Sequence, residues 1–454
     1  MLPVDLELVK KYNKPGPRYT SYPPANYFVE SGLTEELSAS IEASNRPERG
    51  ISLYYHLPFC SSLCWFCGCN KIITTRQDLA DRYIDYLVKE MELRKDQIDP
   101  QRLVRQLHYG GGTPTYFTAD QLKRLGDEIH SRFTFADDAE LSIEIDPRSL
   151  KPDQPSILHE QGFWRASLGI QDFNAQVQKA VHRVQPEDLT RRSVESLREA
   201  GFTSINIDLI YGLPYQTVES FTDTLERALS LKPDRFAIFN YAHVPWMIPA
   251  QRIIKEDTLP NPETKLGMLK LITETLTKHG YHYIGMDHFA IAEDELTRSQ
   301  KAGTLQRNFQ GYSTYAGLDI QAYGVSAISQ NETAYYQNTK EMKDYEEGLD
   351  HGEWPLIKSY VLNNDDRIRR DVIMEIMCNL GLNFQRINER LGIDFKDYFK
   401  DALPKLQPMQ DDGLLTLDSD AIHLTETGRL LVRNIAIVFD RFYQEQAKRY
   451  SKTI

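Results

Sequence analysis

Six short apolar or β-branched runs, separated by stretches with helical periodicity, constrain the fold of this 454-residue chain most. They are ISLYYH (51–56), VRQLHYG (104–110), LSIEI (141–145), RASLGI (165–170), SINIDLI (204–210) and RFAIFN (235–240). After Asp78, read as an N-cap, Leu79, Tyr83, Leu87 and Met91 recur every four residues and put one apolar stripe on a helix. Residues 219–231 behave similarly. Strand–helix alternation predicts an α/β fold with a parallel sheet and helices outside it. Six units are too few to close an eight-stranded barrel, so the expected core is a partial (βα)6 barrel with its chemistry at the C-terminal strand ends. The segments IGMDHFA (284–290) and AYGVSAIS (322–329) read as edge elements.

The length exceeds one ordinary domain, and three regions are expected. Residues 1–47 form an N-terminal arm rich in turn chemistry (Pro15-Gly16-Pro17, Pro23-Pro24), with a local helix near 33–43. Residues 48–355 hold the barrel and its edge extension, and 356–454 a smaller, mainly helical domain. In the last, apolar positions 368, 372, 373, 376 and 380 give one helix, and a second ends near Gly392. Residues 413–428 then read as strand, turn and strand, followed by a helix to about 445, a winged-helix-like order. The wing sequence Asp418-Ser419-Asp420 repels phosphate. Net charge is −12, with 65 acidic against 53 basic residues, which also argues against a nucleic-acid partner. No stretch approaches the roughly 20 apolar residues of a membrane span. The first residues lack the layout of a secretory signal, so the expected location is cytoplasmic.

Four of the five cysteines fall within ten residues, at 60, 64, 67 and 69, and Cys378 stands far away. A disulfide framework would spread its cysteines, so this distribution reads as a metal site. A [4Fe–4S] cube normally takes four thiolates. Cys60, Cys64 and Cys67 would leave one iron open to chelate a small molecule, which is what S-adenosylmethionine (SAM) requires. A zinc site would need a second knuckle further along, with Cys69 as a crowded substitute, and a purely electron-transferring cluster is a third reading. Cys69 itself is either a small buried residue or a hydrogen donor near a radical.

Around these cysteines, Gly110-Gly111-Gly112 follows the second run and lets backbone approach a ligand closely. Glu144 ends the third run and reads either as a contact to the SAM ribose or amino group or as a strand-end ion pair. Gln171-Asp172, Arg183 and Asp208 are polar residues at or just beyond strand ends. His56, His243 and His288 read as hydrogen-bonded histidines rather than ligands, and Cys378 as core.

The Cys-x3-Cys-x2-Cys spacing with Phe66 before the last cysteine resembles the radical SAM superfamily. Taken with PGPRYTSYPPA, HLPFCSSLCWFCGCNK, HYGGGTPTY, SIEIDPR, LGIQDFN, INIDLIYGLP, FNYAHVP, GMDHFA, RNFQGY and GVSAIS, the chain resembles the oxygen-independent coproporphyrinogen III oxidases from end to end. The resemblance implies radical SAM conversion of two propionates of coproporphyrinogen III to vinyl groups, giving protoporphyrinogen IX and CO2 in haem biosynthesis. It implies a [4Fe–4S] cluster on Cys60, Cys64 and Cys67, and two SAM molecules. Their implied contacts are Tyr54, Phe66, Gly111, Gly112, Thr113, Glu144, Gln171, Arg183, Asp208, Ala242 and Ile328. Catalytic roles are expected for Glu144, Cys69, Phe309 and Gln310, and Arg18 and Arg307 are expected to meet substrate carboxylates. The expected partners are the porphyrinogen, an electron donor and an electron acceptor left unidentified, for a monomeric enzyme. The alternative is a haem-binding chaperone of the same superfamily; Cys69 and the PGPRYTSY arm favour the oxidase.

Overall fold

All six runs form strands, because alternate side chains on each find an apolar layer to enter. They are β1 (Ile51–Leu57), β2 (Val104–Gly111), β3 (Phe135–Ile145), β4 (Arg165–Gln171), β5 (Ser204–Tyr211) and β6 (Arg235–Asn240). Each pairs in parallel with the next. Leu53, Leu107, Ile143, Leu168 and Ile207 are 0–1% exposed, and each such burial stabilises the fold by about 1.5–3 kcal/mol. The computed structural model describes residues 4–443.

Five helices follow strands along the chain: α1 (Asp78–Leu93), α2 (Ala119–His130), α3 (Gln154–Glu160), α4 (Glu187–Ala200) and α5 (Val218–Ser230). Capping boxes start α2 (Thr118 with Gln121) and α5 (Thr217 with Ser220), and Gly201, at φ 108°, ends α4. The start of α1 differs from expectation. Asp78 is its first residue and pairs with Arg76, while Gln77 occupies the cap position with its side chain donating to the Tyr116 carbonyl rather than capping the helix. The partial (βα)6 barrel is therefore present, and it is extended. Strand β7 (Asp319–Tyr323) lies parallel to β1 on the side away from β2. Beyond it run β8 (Ile328–Gln330), β9 (Ala334–Asn338) and β10 (Leu356–Val361), all antiparallel. Thus AYGVSAIS supplies the end of one parallel strand and a turn into the extension. The helix Glu35–Ser44 covers the extension with Leu37 and Ile41 against Ala334 and Tyr336.

Contacts divide the chain into two units that are discontinuous in sequence, whereas the expectation ran in linear blocks. The barrel unit spans Phe28–Asn261 and Gly317–Val361. The other gathers the residues up to Tyr27, Pro262–Ala316 and the chain from Leu362. The physical reason is the arm's aromatic content: Tyr12, Tyr19 and Tyr22 are buried in one core with Ile368, Val372 and Phe439. Tyr19 donates to Asp440 at 2.9 Å, and Asn434 donates to the Tyr12 carbonyl at 2.6 Å. The arm also contains a helix, Leu6–Tyr12, capped by Asp5. Of the winged-helix-like order, the helices Asn364–Asn379 and Phe384–Leu391 form as expected, and a three-stranded sheet joins 381–383, 421–424 and 415–417. In its turn Asp418 accepts from the amides of Asp420 and Ala421, so this carboxylate is built into the turn. The expected last helix is broken into Glu426–Leu430 and Val432–Ile437, and positions 444 and 445 lie outside the described residues. Segment 284–290 belongs to a hairpin, His282–Gly285 with His288–Ala290. Among the described residues no helix is long and apolar enough to cross a membrane.

Candidate active site

The period-2 rule decides which polar residues meet. In β4, Ala166, Leu168 and Ile170 are buried while Ser167, Gly169 and Gln171 are partly open; in β5, Asn206 and Asp208 alternate with buried Ile205, Ile207 and Leu209. Register then aligns Tyr54 with His108, Glu144 with Ser167, and Gly169 with Asp208. One face of the barrel sheet thus collects Tyr54, His108, Glu144, Ser167, Gln171 and Asp208.

Their contacts form two connected sets. Glu144 accepts from the Gly111 amide at 3.1 Å and lies 3.7 Å from His108 Nε2, while His108 Nδ1 meets the Ser142 hydroxyl at 2.7 Å. Burial pushes the Glu144 carboxyl up, but the His108 bond and charge and the Gly111 amide outweigh it and hold it below its ordinary value. Its side chain keeps 49% exposure, so it borders open space with its carboxylate fixed from behind. Tyr54 stacks on His108 with ring centroids 5.9 Å apart and meets His56 Nδ1 at 3.1 Å. His56 Nε2 donates to the Asn70 carbonyl at 2.9 Å, tying the end of the cysteine loop to β1. On β5, burial pushes Asp208 up to about 7; the Ser167 hydroxyl, 2.9 Å away, opposes this and the Glu144 charge reinforces it.

The cysteine loop leaves β1 immediately. Cys60 Sγ lies 3.2 Å from Thr113 Oγ1, just past the glycine run. Cys64 Sγ accepts from Arg148 at 3.2 Å and Arg183 at 3.4 Å, and both guanidinium groups also pair with Asp146. Arg183 further donates to the Gly169 carbonyl. A hydrogen bond with Cys69 brings Cys67 down to about 6 against the opposing effect of burial, with the Lys71 charge assisting, and Cys69 is pushed well up in exchange. Cys60, by contrast, is raised to about 11 by burial, so taking up metal would release its proton. Among the described residues no three His, Cys, Asp or Glu side chains are gathered around a single-ion position. A four-iron cube holds its thiolates farther apart than one ion does.

The residues present fit a cluster and a bound organic ligand. Three thiols share one loop flanked by two guanidinium groups, and Gln171 Oε1 and Arg183 Nε are buried without a hydrogen-bond partner. Gln171 also holds φ 69°, a strained value for a residue with a side chain. Glycine is required at two positions under the loop. Gly111 has φ 117°, and a Cβ on Gly112 would fall 2.4 Å from the Pro58 carbonyl oxygen. Gly112→Ala must therefore push the start of the cysteine loop off β2. It is expected to cost about 1–3 kcal/mol of stability and to lower iron uptake on anaerobic reconstitution. Iron analysis beside a denaturant titration checks this, and wild-type iron content would remove Gly112 from the site's support.

The remaining expected residues are placed as follows. Phe66 packs against a small apolar cluster around Val177 and Tyr241, and its carbonyl accepts from Gln251 at 3.2 Å. The Ala242 carbonyl accepts from the same Gln251 side chain. Ile328 opens β8, half-buried. Phe309 and Gln310 belong to the other unit, in the turn between Gln306–Asn308 and Gly311–Ser313. In that unit Arg18 is paired with Asp287, and Arg307 is buried with its guanidinium 4.7 Å from the Tyr312 ring centroid. His243 meets the Tyr241 hydroxyl at 2.9 Å, and Cys378 is fully buried in the apolar core, as expected. Sequence reasoning missed two contributors. His108 and Arg148 both stood in quoted motifs, but only register shows that one faces Glu144 and the other reaches Cys64.

Comparison with known proteins agrees with this geometry. Residues 54–228 match the radical SAM superfamily model, and 362–431 match the model described as the HemN C-terminal domain. The oxygen-independent coproporphyrinogen III oxidase of Escherichia coli strain K12 is 47% identical over 98% of this chain and 96% of its own. The enzyme of the same name from Pseudomonas aeruginosa is 44% identical over 99% and 98%. The solved structure of the Escherichia coli coproporphyrinogen III oxidase (HemN), described as a radical SAM enzyme, superposes with a TM-score of 0.92, covering 97% of this chain and all of that one. The chain belongs to the oxygen-independent coproporphyrinogen III oxidases of the radical SAM superfamily.

Proposed function

We propose that this chain is a SAM-dependent oxidoreductase that decarboxylates two propionate side chains of coproporphyrinogen III oxidatively, giving protoporphyrinogen IX. One observation carries the reading. In a chain matched along 98% of its length by such an oxidase, the cysteine loop and the Gly111–Glu144 contact share the C-terminal end of the parallel sheet. Membership of the superfamily implies a [4Fe–4S] cluster with SAM. Cys60, Cys64 and Cys67 would hold the cluster. Tyr54, Phe66, Gly111, Gly112, Thr113 and Glu144 would line the SAM bound to it, and Gln171, Arg183, Asp208, Ala242 and Ile328 would complete the contacts of two SAM molecules. When bound, these groups supply a one-electron reduction and a carbon radical able to take hydrogen from an unactivated position.

The protein's own part is binding and charge placement. Glu144, held ionised by His108 and the Gly111 amide, offers a fixed acceptor for ribose hydroxyls or an ammonium. Gln171 Oε1 and Arg183 Nε supply one unpaired acceptor and one unpaired donor. Arg148 and Arg183 offset the negative charge of a thiolate-ligated cluster at Cys64. Cys69, a free thiol hydrogen-bonded to Cys67, is proposed as a neighbour of the cluster that affects its charge. Phe309 and Gln310 are proposed for the reaction centre on family resemblance. Each propionate loses one hydrogen atom and CO2, and the remaining electron leaves to an acceptor.

The test is an anaerobic assay with dithionite, SAM and coproporphyrinogen III, following protoporphyrinogen IX and 5′-deoxyadenosine together. Both products are expected. Stoichiometric haem binding with neither product, from protein with an intact cluster, would turn the assignment to the chaperone. In the same assay Glu144→Ala is expected to keep the cluster and lose about 10²-fold or more in SAM cleavage, in line with removal of a positioning contact. Wild-type turnover would defeat the role given to Glu144.

A further inference from the structure

None of the residues proposed to contact SAM lines the cavity beside Trp65 of the cysteine loop. Trp65, between Cys64 and Phe66, lines an open cavity of about 460 Å³ together with Lys179, Tyr215, Ile253, Lys255 and Thr258. It is pinned rather than mobile. Its amide donates to the Val181 carbonyl at 3.0 Å, its ring stacks on His182 with centroids 5.3 Å apart, and its apolar face packs with Val177, Val181 and Ile254. Two non-glycine residues at positive φ frame it, His182 at 54° and Tyr215 at 64°. His182 Nδ1 is 2.8 Å from the Leu63 carbonyl of the cysteine loop, and the Tyr215 amide donates to the Thr258 carbonyl at 2.8 Å. The rim exposes large apolar surface, with Tyr215 43% and Ile253 53% accessible.

The charges here are unlike those of the chain as a whole. The net charge is −12, yet the two charged residues of the lining are both lysines. Among the described residues neither Lys179 nor Lys255 has a carboxylate within ion-pairing distance, and the neighbouring Glu256 faces His243 instead, at 3.5 Å. An aromatic and apolar recess carrying two unpaired ammonium groups suits an acidic protein surface with an exposed planar redox group.

We infer that this recess is the electron-entry dock, where a small acidic one-electron carrier protein seats its redox group against Trp65. The inference rests on the proposed function, which requires electrons to reach a cluster on Cys60, Cys64 and Cys67. The step is a transfer of one electron: the carrier is oxidised, the cluster is reduced, and no bond or proton moves. Trp65 touches the dock on one side and is joined by a peptide bond to Cys64 on the other.

The experiment uses the reconstituted holoprotein, an acidic flavodoxin in its hydroquinone form, and stopped-flow bleaching of cluster absorbance. The double variant Lys179→Glu/Lys255→Glu is expected to slow reduction by flavodoxin at least about tenfold at low salt, with the difference shrinking towards about 0.5 M salt. Calorimetry should show flavodoxin binding to the wild type and its loss in the variant. Dithionite, which needs no dock, should bleach both proteins at the same rate and support the same turnover. Equal flavodoxin rates, or slowing by both reductants alike, would overturn the dock. A wild type that forms no cluster would overturn the functional reading beneath it, which the iron content reports separately.

Discussion

Cys64→Ser is expected to leave a folded protein without the visible absorption of an iron–sulfur cluster, and to lower turnover by roughly 10³-fold or more, about 4 kcal/mol of barrier. The reason lies in where Cys64 sits. It is the middle cysteine of the loop, 7% exposed, with Arg148 and Arg183 donating to its sulfur and Asp146 holding both guanidinium groups in place. A serine hydroxyl is a poor ligand for iron where a soft thiolate is wanted, and it stays protonated at neutral pH. The two guanidinium groups keep Asp146 as a partner, so the fold loses little. Anaerobic reconstitution with iron and sulfide, read by absorbance and iron analysis, checks the result. Cys378→Ser is the control: its thiol lies in the apolar core of the other unit, so it should keep the full cluster and lose only stability. A Cys64→Ser protein with the wild-type spectrum would remove Cys64 from the ligand set.

The parts of this site visible in the sequence are those set by local spacing. Three cysteines within eight residues, and glycines directly after a strand, carry their meaning without the fold. The strands were legible too, because their alternation reflects burial that the barrel imposes. What spacing could not show is which side chain on one strand meets which on the next. His108 faces Glu144 across the register of β2 and β3, and Arg148 reaches back to Cys64 across 84 positions. The start of α1 was misread because Asp78 has the chemistry of a cap but is engaged by Arg76. The arm's helix near 33–43 was legible, but the helix Leu6–Tyr12 was not, since seven helical residues are too few for a clear period. Its place in the core with Phe439 depends on contacts some four hundred residues apart. Glu90 and Arg94 are charged residues of an amphipathic helix, and no local pattern marks them as buried. The structure buries both completely.

Arg94→Met is accordingly expected to be the most damaging single change to the stability of the barrel unit, costing about 3–5 kcal/mol. Arg94 caps the C-terminal end of α1, pairs with Glu90 at 2.9 Å, and both side chains are 0% exposed. Its guanidinium donates to the Ala322 carbonyl at 2.6 Å and to Gln321 at 2.8 Å, and lies 4.5 Å from the centroids of both Tyr323 and Trp354. Glu90 accepts from the Gly324 amide, Asn338 and Tyr345, at 2.7–2.8 Å. One ion pair therefore fastens α1 to β7, β9 and the helix that holds Tyr345. Removing the cation leaves a carboxylate in a dry site with three donors but no counter-charge, leaves the Ala322 carbonyl with only the long Ser329 bond at 3.4 Å, and takes from the Gln321 side-chain oxygen its guanidinium donor. Replacing Glu90 with Gln as well removes the stranded charge. The double variant Glu90→Gln/Arg94→Met should then recover part of the loss, a coupling that a thermodynamic cycle measures directly. Strand β7 pairs with β1 at Ala322 and Tyr54, so the loss reaches the site through strand position rather than chemistry. Arg94→Met should fall by on the order of 10 °C in thermal unfolding while keeping its cluster and its SAM cleavage well below the transition. Unfolding unchanged within a degree would show that the network contributes nothing net, the outcome expected if desolvation of the pair cancels its attraction.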